Sequence, residues 1–231
     1  MIRKLKDLSH ILSKNFFKEE PLFFEKLPSN SAFSTLYSFL SNEVTKLSVE
    51  ANYSILFDKI YAYNNKKMLY FPIEENSQFT IAIFFFPKGI QMPLHDHPNM
   101  MVISKILEGE VERTSIDFKN DDVQINLPKK IYFNDKMDEE LIIKDLKLKK
   151  DVLKKEELDY LTPSKYNLHQ FKARENSAML DILVPSYNLK ERYCNFYEIL
   201  KEEGDSVEIK YRLHPSENDS ENVEFFKRIR S

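Results

Sequence analysis

Hydrophobic positions follow two regimes along this chain. In the first fifty residues they recur at helical spacing. Ile2, Leu5, Leu8, Ile11 and Leu12 share one face of a segment over 2–18, and Phe33, Leu36, Tyr37, Leu40 and Val44 do the same over 32–47. Ser31 stands where it can cap the second helix, and Pro21 and Pro28 interrupt the first pattern. From Tyr53 the character changes. Residues 79–86 are a run of β-branched and aromatic side chains, 100–107 is a second such run, and 110–118 alternates. Pro87-Lys88-Gly89 and Glu108-Gly109 supply turns. Further strands are expected over 158–161, 179–184 and 195–200, with an edge strand over 207–213. Short strands separated by turns predict an antiparallel sandwich or barrel.

Between them, residues 119–158 are dense in charge, with Lys129-Lys130, Asp138-Glu139-Glu140 and Lys154-Lys155-Glu156-Glu157. This reads as a solvated insertion carrying one or two edge strands. The division that follows is a helical extension over 1–50 packed on a barrel over 51–213, and a polar tail over 214–231.

Composition narrows the function. The chain has 231 residues, 42% of them hydrophobic, enough for a sizeable core. A net charge of −3 argues against nucleic acid or an anionic membrane as partner. No run approaches the ~18 apolar residues of a membrane span, and Asp7 disfavours a secretory signal in the first helix. The single cysteine, Cys194, has no intramolecular partner, which favours a reducing setting. A cytoplasmic monomer is the expectation, with the nucleus as an alternative.

The candidate chemistry lies in five histidines. In an extended segment His95 and His97 face one side together while Asp96 turns away. Two imidazoles side by side suit iron, zinc, nickel or copper. His169 lies 72 residues after His97 and can complete a set of three. His10, in the leading helix, and His214, before Pro215, read as surface residues.

Gly89, six residues before His95, and Gly109, twelve after His97, match the first signature of the cupin family. Its glutamate slot is Val102 here, so no carboxylate ligand is available at that point. The resemblance implies a mainly β fold, the cupin double-stranded β-helix or jelly-roll barrel, with N-terminal α-helices. More specifically, Pro93-Leu94-His95-Asp96-His97-Pro98-Asn99-Met100 resembles the thiol dioxygenases of the cysteamine dioxygenase and plant cysteine oxidase family. So do Leu161-Thr162-Pro163 with Asn167-Leu168-His169-Gln170, the run from Leu180 through Tyr187, and Arg192 through Tyr197.

That resemblance implies one Fe(II) per chain held by His95, His97 and His169, with O2 and a thiol as substrates. An N-terminal cysteine of a peptide or protein is the favoured thiol, and cysteamine the second. It also implies that Asp181 orients a histidine or the substrate amine, and that Tyr187 bonds substrate or an oxygen intermediate. A metal-binding cupin without chemistry and a cupin isomerase are the rivals. Two positions depart from the family pattern. Asn99 replaces a glycine, and asparagine is a good substitute in a left-handed turn. Phe196 stands where some animal members carry a tyrosine crosslinked to the cysteine that matches Cys194, which reads here as a buried strand thiol.

Overall fold

The computed structural model describes residues 1–17, 30–47, 51–63, 67–119, 142–188 and 192–212. Three helices precede eleven strands. The helices are α1 (Ile2–Asn15), α2 (Asn30–Thr45) and α3 (Ala51–Tyr63). The strands are β1 (Leu69–Glu75), β2 (Thr80–Phe86), β3 (Gln91–His95), β4 (Met101–Glu108), β5 (Glu110–Phe118), β6 (Ile142–Lys154), β7 (Leu158–Leu161), β8 (Leu168–Ala173), β9 (Ser177–Val184), β10 (Phe196–Glu203) and β11 (Ser206–Arg212). They form two antiparallel sheets. One has the order β1-β2-β9-β4-β7. The other, β10-β11-β6-β5-β8-β3, closes on itself through the pair Phe196–His95. The mainly β class with helices at the N-terminus agrees with the expectation, although α3 lies where no helix was expected.

Strand alternation sorts the five-stranded sheet into two faces. Ile81, Ile83, Phe85, Ile103, Leu107, Leu180 and Ile182 pack against Leu5, Leu8 and Leu12 of α1, Leu36 and Leu40 of α2 and Phe57 of α3. On its other face Phe84, Phe86, Ile106 and Met179 meet Met92, Phe171 and Phe196 from the second sheet. Lys105 sits on the helical side, 1% exposed. It donates to the carbonyls of Val44 (3.3 Å), Thr45 (3.2 Å) and Leu47 (2.5 Å) and pairs with Glu156. A cation at the C-terminus of α2 satisfies its orphan carbonyls and complements the helix dipole.

The chain alternates between sheets at β2–β3–β4–β5 and again at β7–β8–β9–β10, which gathers the crossings at two ends. Gly89, Gly109 and the turn at Asn176 lie at one end. Gly109 has φ +80°, and a Cβ there would run into the Asn176 carbonyl and Ser177, so no other residue fits. Residues 96–100, 162–167, 185–188 and 192–195 lie together at the opposite end. No helix among the described residues is long and apolar enough to cross a membrane.

Two expectations are corrected. The charged segment was expected to carry edge strands and residues 207–213 to form one. Instead β6 lies between β11 and β5, and β11 between β10 and β6. The lysines of β6 are exposed while Ile143 and Leu146 are buried with Ile116, Leu168 and Ile209. Residues 120–141 and the tail lie outside the described residues. α2 begins at Asn30, ahead of the start expected at Ser31.

Candidate metal centre

His95 closes β3, and the next two residues continue its alternation. His169 is the second residue of β8 and the direct cross-strand partner of His95. The three crossings thus bring His95, His97 and His169 together, each 2–3% exposed. Their ring centroids are 4.8 Å apart for every pair. One nitrogen from each lies within 4.8 Å of the others.

Hydrogen bonds fix two of the three tautomers. His95 donates Nδ1–H to the carbonyl of Pro93 (2.8 Å). The Tyr187 hydroxyl gives its one proton to the carbonyl of Asp96 (2.6 Å) and so accepts Nδ1–H of His97 (2.8 Å). Both rings therefore present an Nε2 lone pair, as a metal requires. Nε2 of His97 and of His169 are 2.9 Å apart, close to the about 3 Å that separates adjacent donors around an ion bound at ordinary metal–nitrogen distances. Among the described residues the Nδ1 of His169 has no hydrogen-bond partner, which leaves it able to carry the proton when Nε2 binds. Three neutral, buried, convergent imidazoles fit a divalent transition metal; the donors alone do not choose among iron, zinc, nickel and copper.

Burial keeps these rings neutral. It lowers His95 to about 4, and it holds His97 and His169 well below 6.5, helped by the neighbouring histidines. Protons compete with metal for the same Nε2. Because these values are lowered, competition is weak at pH 6.5 and grows only as pH falls toward 4. Cobalt(II) titrated into the metal-free protein is expected to bind with affinities within about threefold at pH 7.5 and pH 6.0. Three histidines with ordinary values would lose on the order of 50-fold over that interval.

Asp96 faces the other way and organises the ligand loop. Its Oδ1 accepts the Asn195 backbone N–H (2.9 Å), and its Oδ2 accepts the Asn195 side-chain amide (2.9 Å) and the Tyr197 hydroxyl (2.8 Å). Burial pushes the carboxyl up to about 7, while these donors pull it down; all three fit the ionised form. Asn99, with φ +54°, makes the turn that returns the chain to β4.

Asp181 and Tyr187 occupy different places. Tyr187 stacks on His97, with centroids 5.2 Å apart, and packs on a buried apolar cluster of Met100, Val102, Leu161 and Leu183. Val102, the position that matches the cupin glutamate in sequence, is part of that cluster. Asp181 points inward one step deeper than Leu183 and is the cross-strand partner of Ser104. It bonds the Ser104 side chain rather than a histidine. Its Oδ1 is buried without a hydrogen-bond partner among the described residues, and burial raises the carboxyl to about 7.

Sequence reasoning gave no role to Asn167, Asn195, Tyr197 or Ser104. Asn167 stands two residues before His169, which was its available signal. Asn195 reaches Asp96 across 99 residues, and no local pattern marks that. Cys194 is buried as expected, but precedes β10 rather than lying in it. Tyr197 packs in the cluster on the opposite face from Cys194 and Phe196. His10 is exposed in α1, and His214 lies outside the described residues.

Comparison with known proteins points the same way. The PCO_ADO family profile matches residues 40–230. A probable 2-aminoethanethiol dioxygenase of Dictyostelium discoideum is 34% identical over 166 residues, covering 70% of each chain. The 2-aminoethanethiol dioxygenase of Homo sapiens is 30% identical, covering 60% of this chain and 54% of that protein. Plant cysteine oxidase 1 of Arabidopsis thaliana is 29% identical, covering 60% and 44%. The chain thus spans about half the length of the human and plant relatives. Among solved structures, a cupin superfamily protein from Desulfitobacterium hafniense covers 52% of this chain and 79% of that one, with 15% identity and a TM-score of 0.33. With most of its length matched by the profile, the chain belongs to the PCO_ADO family, the thiol dioxygenases of the cysteamine dioxygenase and plant cysteine oxidase type.

Proposed function

We propose that this protein is an iron(II)-dependent dioxygenase that converts the N-terminal cysteine of a peptide or protein to cysteine sulfinic acid. The observation that carries this reading is the donor set: three buried histidines and, among the described residues, no carboxylate grouped with them, with Val102 buried where the resemblance places a glutamate. Iron(II) bound there would keep its full charge, hold the substrate sulfur as thiolate and bring O2 beside it. The overall reaction balances without a reductant, because both oxygen atoms go to sulfur and sulfur supplies four electrons.

The chain's own residues prepare that site. Tyr187 orients His97 and closes one side with an aromatic face. Met100, Val102, Leu161 and Leu183 exclude water from it. The buried Oδ1 of Asp181 is suited to accept the substrate's ammonium or to hold a proton. Arg113 is committed on both edges, to Asp151 and to Asp159, so it offers no receptor for the carboxylate of free cysteine. Sulfinic acid at a protein's N-terminus would mark it for arginylation and degradation, which makes oxygen sensing the corresponding biological role. The reading includes a monomer in the cytoplasm, with the nucleus as an alternative.

Cysteamine, oxidised to hypotaurine, is the second reading; the names of the slime-mould and human relatives favour it. Parallel kinetics on a Cys-initiated peptide, its N-acetylated form and cysteamine separate the two. The peptide should show the highest kcat/KM and the acetylated form should be inert. Efficient oxidation of cysteamine with an inert peptide would replace the first reading by the second.

Asp181→Asn should lower kcat by about 10²–10⁴-fold while leaving cobalt(II) affinity unchanged. An equal loss of metal affinity would show that Asp181 serves the metal instead of the substrate.

A further inference from the structure

His97 is the ligand least supported by secondary structure. It lies beyond the end of β3, in the crossing to β4, where no ladder fixes its backbone. One side chain takes the ladder's place. Asn167 Oδ1 accepts the backbone N–H of His97 (3.2 Å), and Asn167 Nδ2 donates to the backbone carbonyl of the same residue (2.8 Å). The second Nδ2 proton reaches the carbonyl of Thr162 (3.2 Å). A carboxamide carries both a donor group and an acceptor, so it can pair with a peptide as another strand would.

Asn167 is itself held firmly. It is 4% exposed. The preceding turn is closed by a bridge between Thr162 and Lys165. Tyr166 takes a left-handed backbone, φ +58°, and its N–H is bonded by Asp117. Two residues further on, His169 enters β8 opposite His95 and Ser115. One short rigid segment therefore supplies the His169 ring and grips the backbone of His97, the two ligands whose Nε2 atoms lie 2.9 Å apart.

We infer that Asn167 is a positioning residue for the metal, which sets His97 against His169 so that the three-histidine site is complete before metal arrives. This rests on the reading of His95, His97 and His169 as the ligands. Preorganisation of this kind is where metal affinity is set, and loss of such a support costs about 10–100-fold.

Cobalt(II) titration, followed by calorimetry and by the visible spectrum of the bound ion, tests the inference without turnover. The wild-type chain should take up one cobalt per chain; no uptake would overturn the ligand reading itself. Asn167→Ala should bind 10–100-fold more weakly, with an altered spectrum. Asn167→Asp, nearly the same shape, keeps the acceptor but turns an oxygen toward the His97 and Thr162 carbonyls, and should fall in the same range. It decides the matter if the alanine variant does not fold. The discriminating arm is His97→Gly supplied with imidazole, which restores the third ring without a peptide tether. In that background Asn167→Ala should cost nothing further, because a free ring does not depend on how the backbone at position 97 is held. Wild-type affinity in both Asn167 variants, or an equal loss with the tethered and with the free imidazole, would overturn the inference.

Discussion

Replacing His169 with alanine is expected to abolish stable metal binding and to lower turnover by about 10³-fold or more. Supporting residues around a metal typically account for 10–100-fold in affinity, and a direct ligand exceeds that. The loss should be local. His169 is buried beside Phe171, with centroids 4.6 Å apart, but its Nδ1 has no hydrogen-bond partner among the described residues. Removing the ring therefore strands no donor or acceptor on the β8 side. On the far side it leaves Nε2 of His97 facing a small cavity. Metal content after loading and washing is the direct measurement. His10→Ala, at an exposed position of α1, is the matched control and should load and turn over as wild type. A His169→Ala protein that retains one metal per chain would remove that residue from the site.

Asp96→Ala should cost the most stability of any substitution in the ligand loop, about 3–5 kcal/mol in a urea melt of the metal-free protein. The carboxylate receives three donors, two from Asn195 and one from Tyr197. Asn195 is 0% exposed and Tyr197 6%, so water does not readily replace the lost acceptor. Each stranded buried donor costs about 1–3 kcal/mol. The loss should extend to the metal, because Asp96 also receives its backbone order from Asn195 (N–H to carbonyl, 3.2 Å) and lies between two ligands. Asp96→Asn keeps an acceptor but presents an NH2 to a site where all neighbours donate, so it should fall between wild type and alanine. A melt within about 1 kcal/mol of wild type for the alanine variant would show that the network carries little of the fold.

The parts of this site legible in the sequence are those with a short-range signature. Period-two alternation placed the His95 and His97 rings on one side and Asp96 on the other, and the structure agrees. Asn99 was expected in a left-handed turn and takes one. Val102 marked the missing carboxylate. What was not legible depends on register between distant strands. Nothing near Asp96 announces Asn195 or Tyr197, and nothing near His97 announces that Asn167 will pair with its peptide. Lys105 reads as an ordinary strand lysine until α2 is docked over it.

The misplacement of β6 has a related cause. Lys144, Lys147, Lys149, Lys150 and Lys154 give that strand the composition of a solvated insertion. Its buried residues, Ile143, Leu146 and Leu153, are too widely spaced to announce a place between two other strands. Both its neighbours become evident only when the pairings of β5 and β11 are known.

The same separation explains why the side chain that bonds Asp181 was not legible. A carboxylate in an apolar strand predicts a bonding partner. The strand order decides that the partner is Ser104, on β4, and that the other oxygen is left facing inward.

The most direct test loads the purified protein with iron(II) under anaerobic conditions, adds a Cys-initiated peptide, admits isotopically labelled O2 and weighs the product. The account predicts a gain of two oxygen atoms, about 32 Da before isotopic labelling, both from the labelled gas and both on the N-terminal cysteine sulfur. An iron-loaded protein that leaves the peptide and cysteamine unchanged would contradict it.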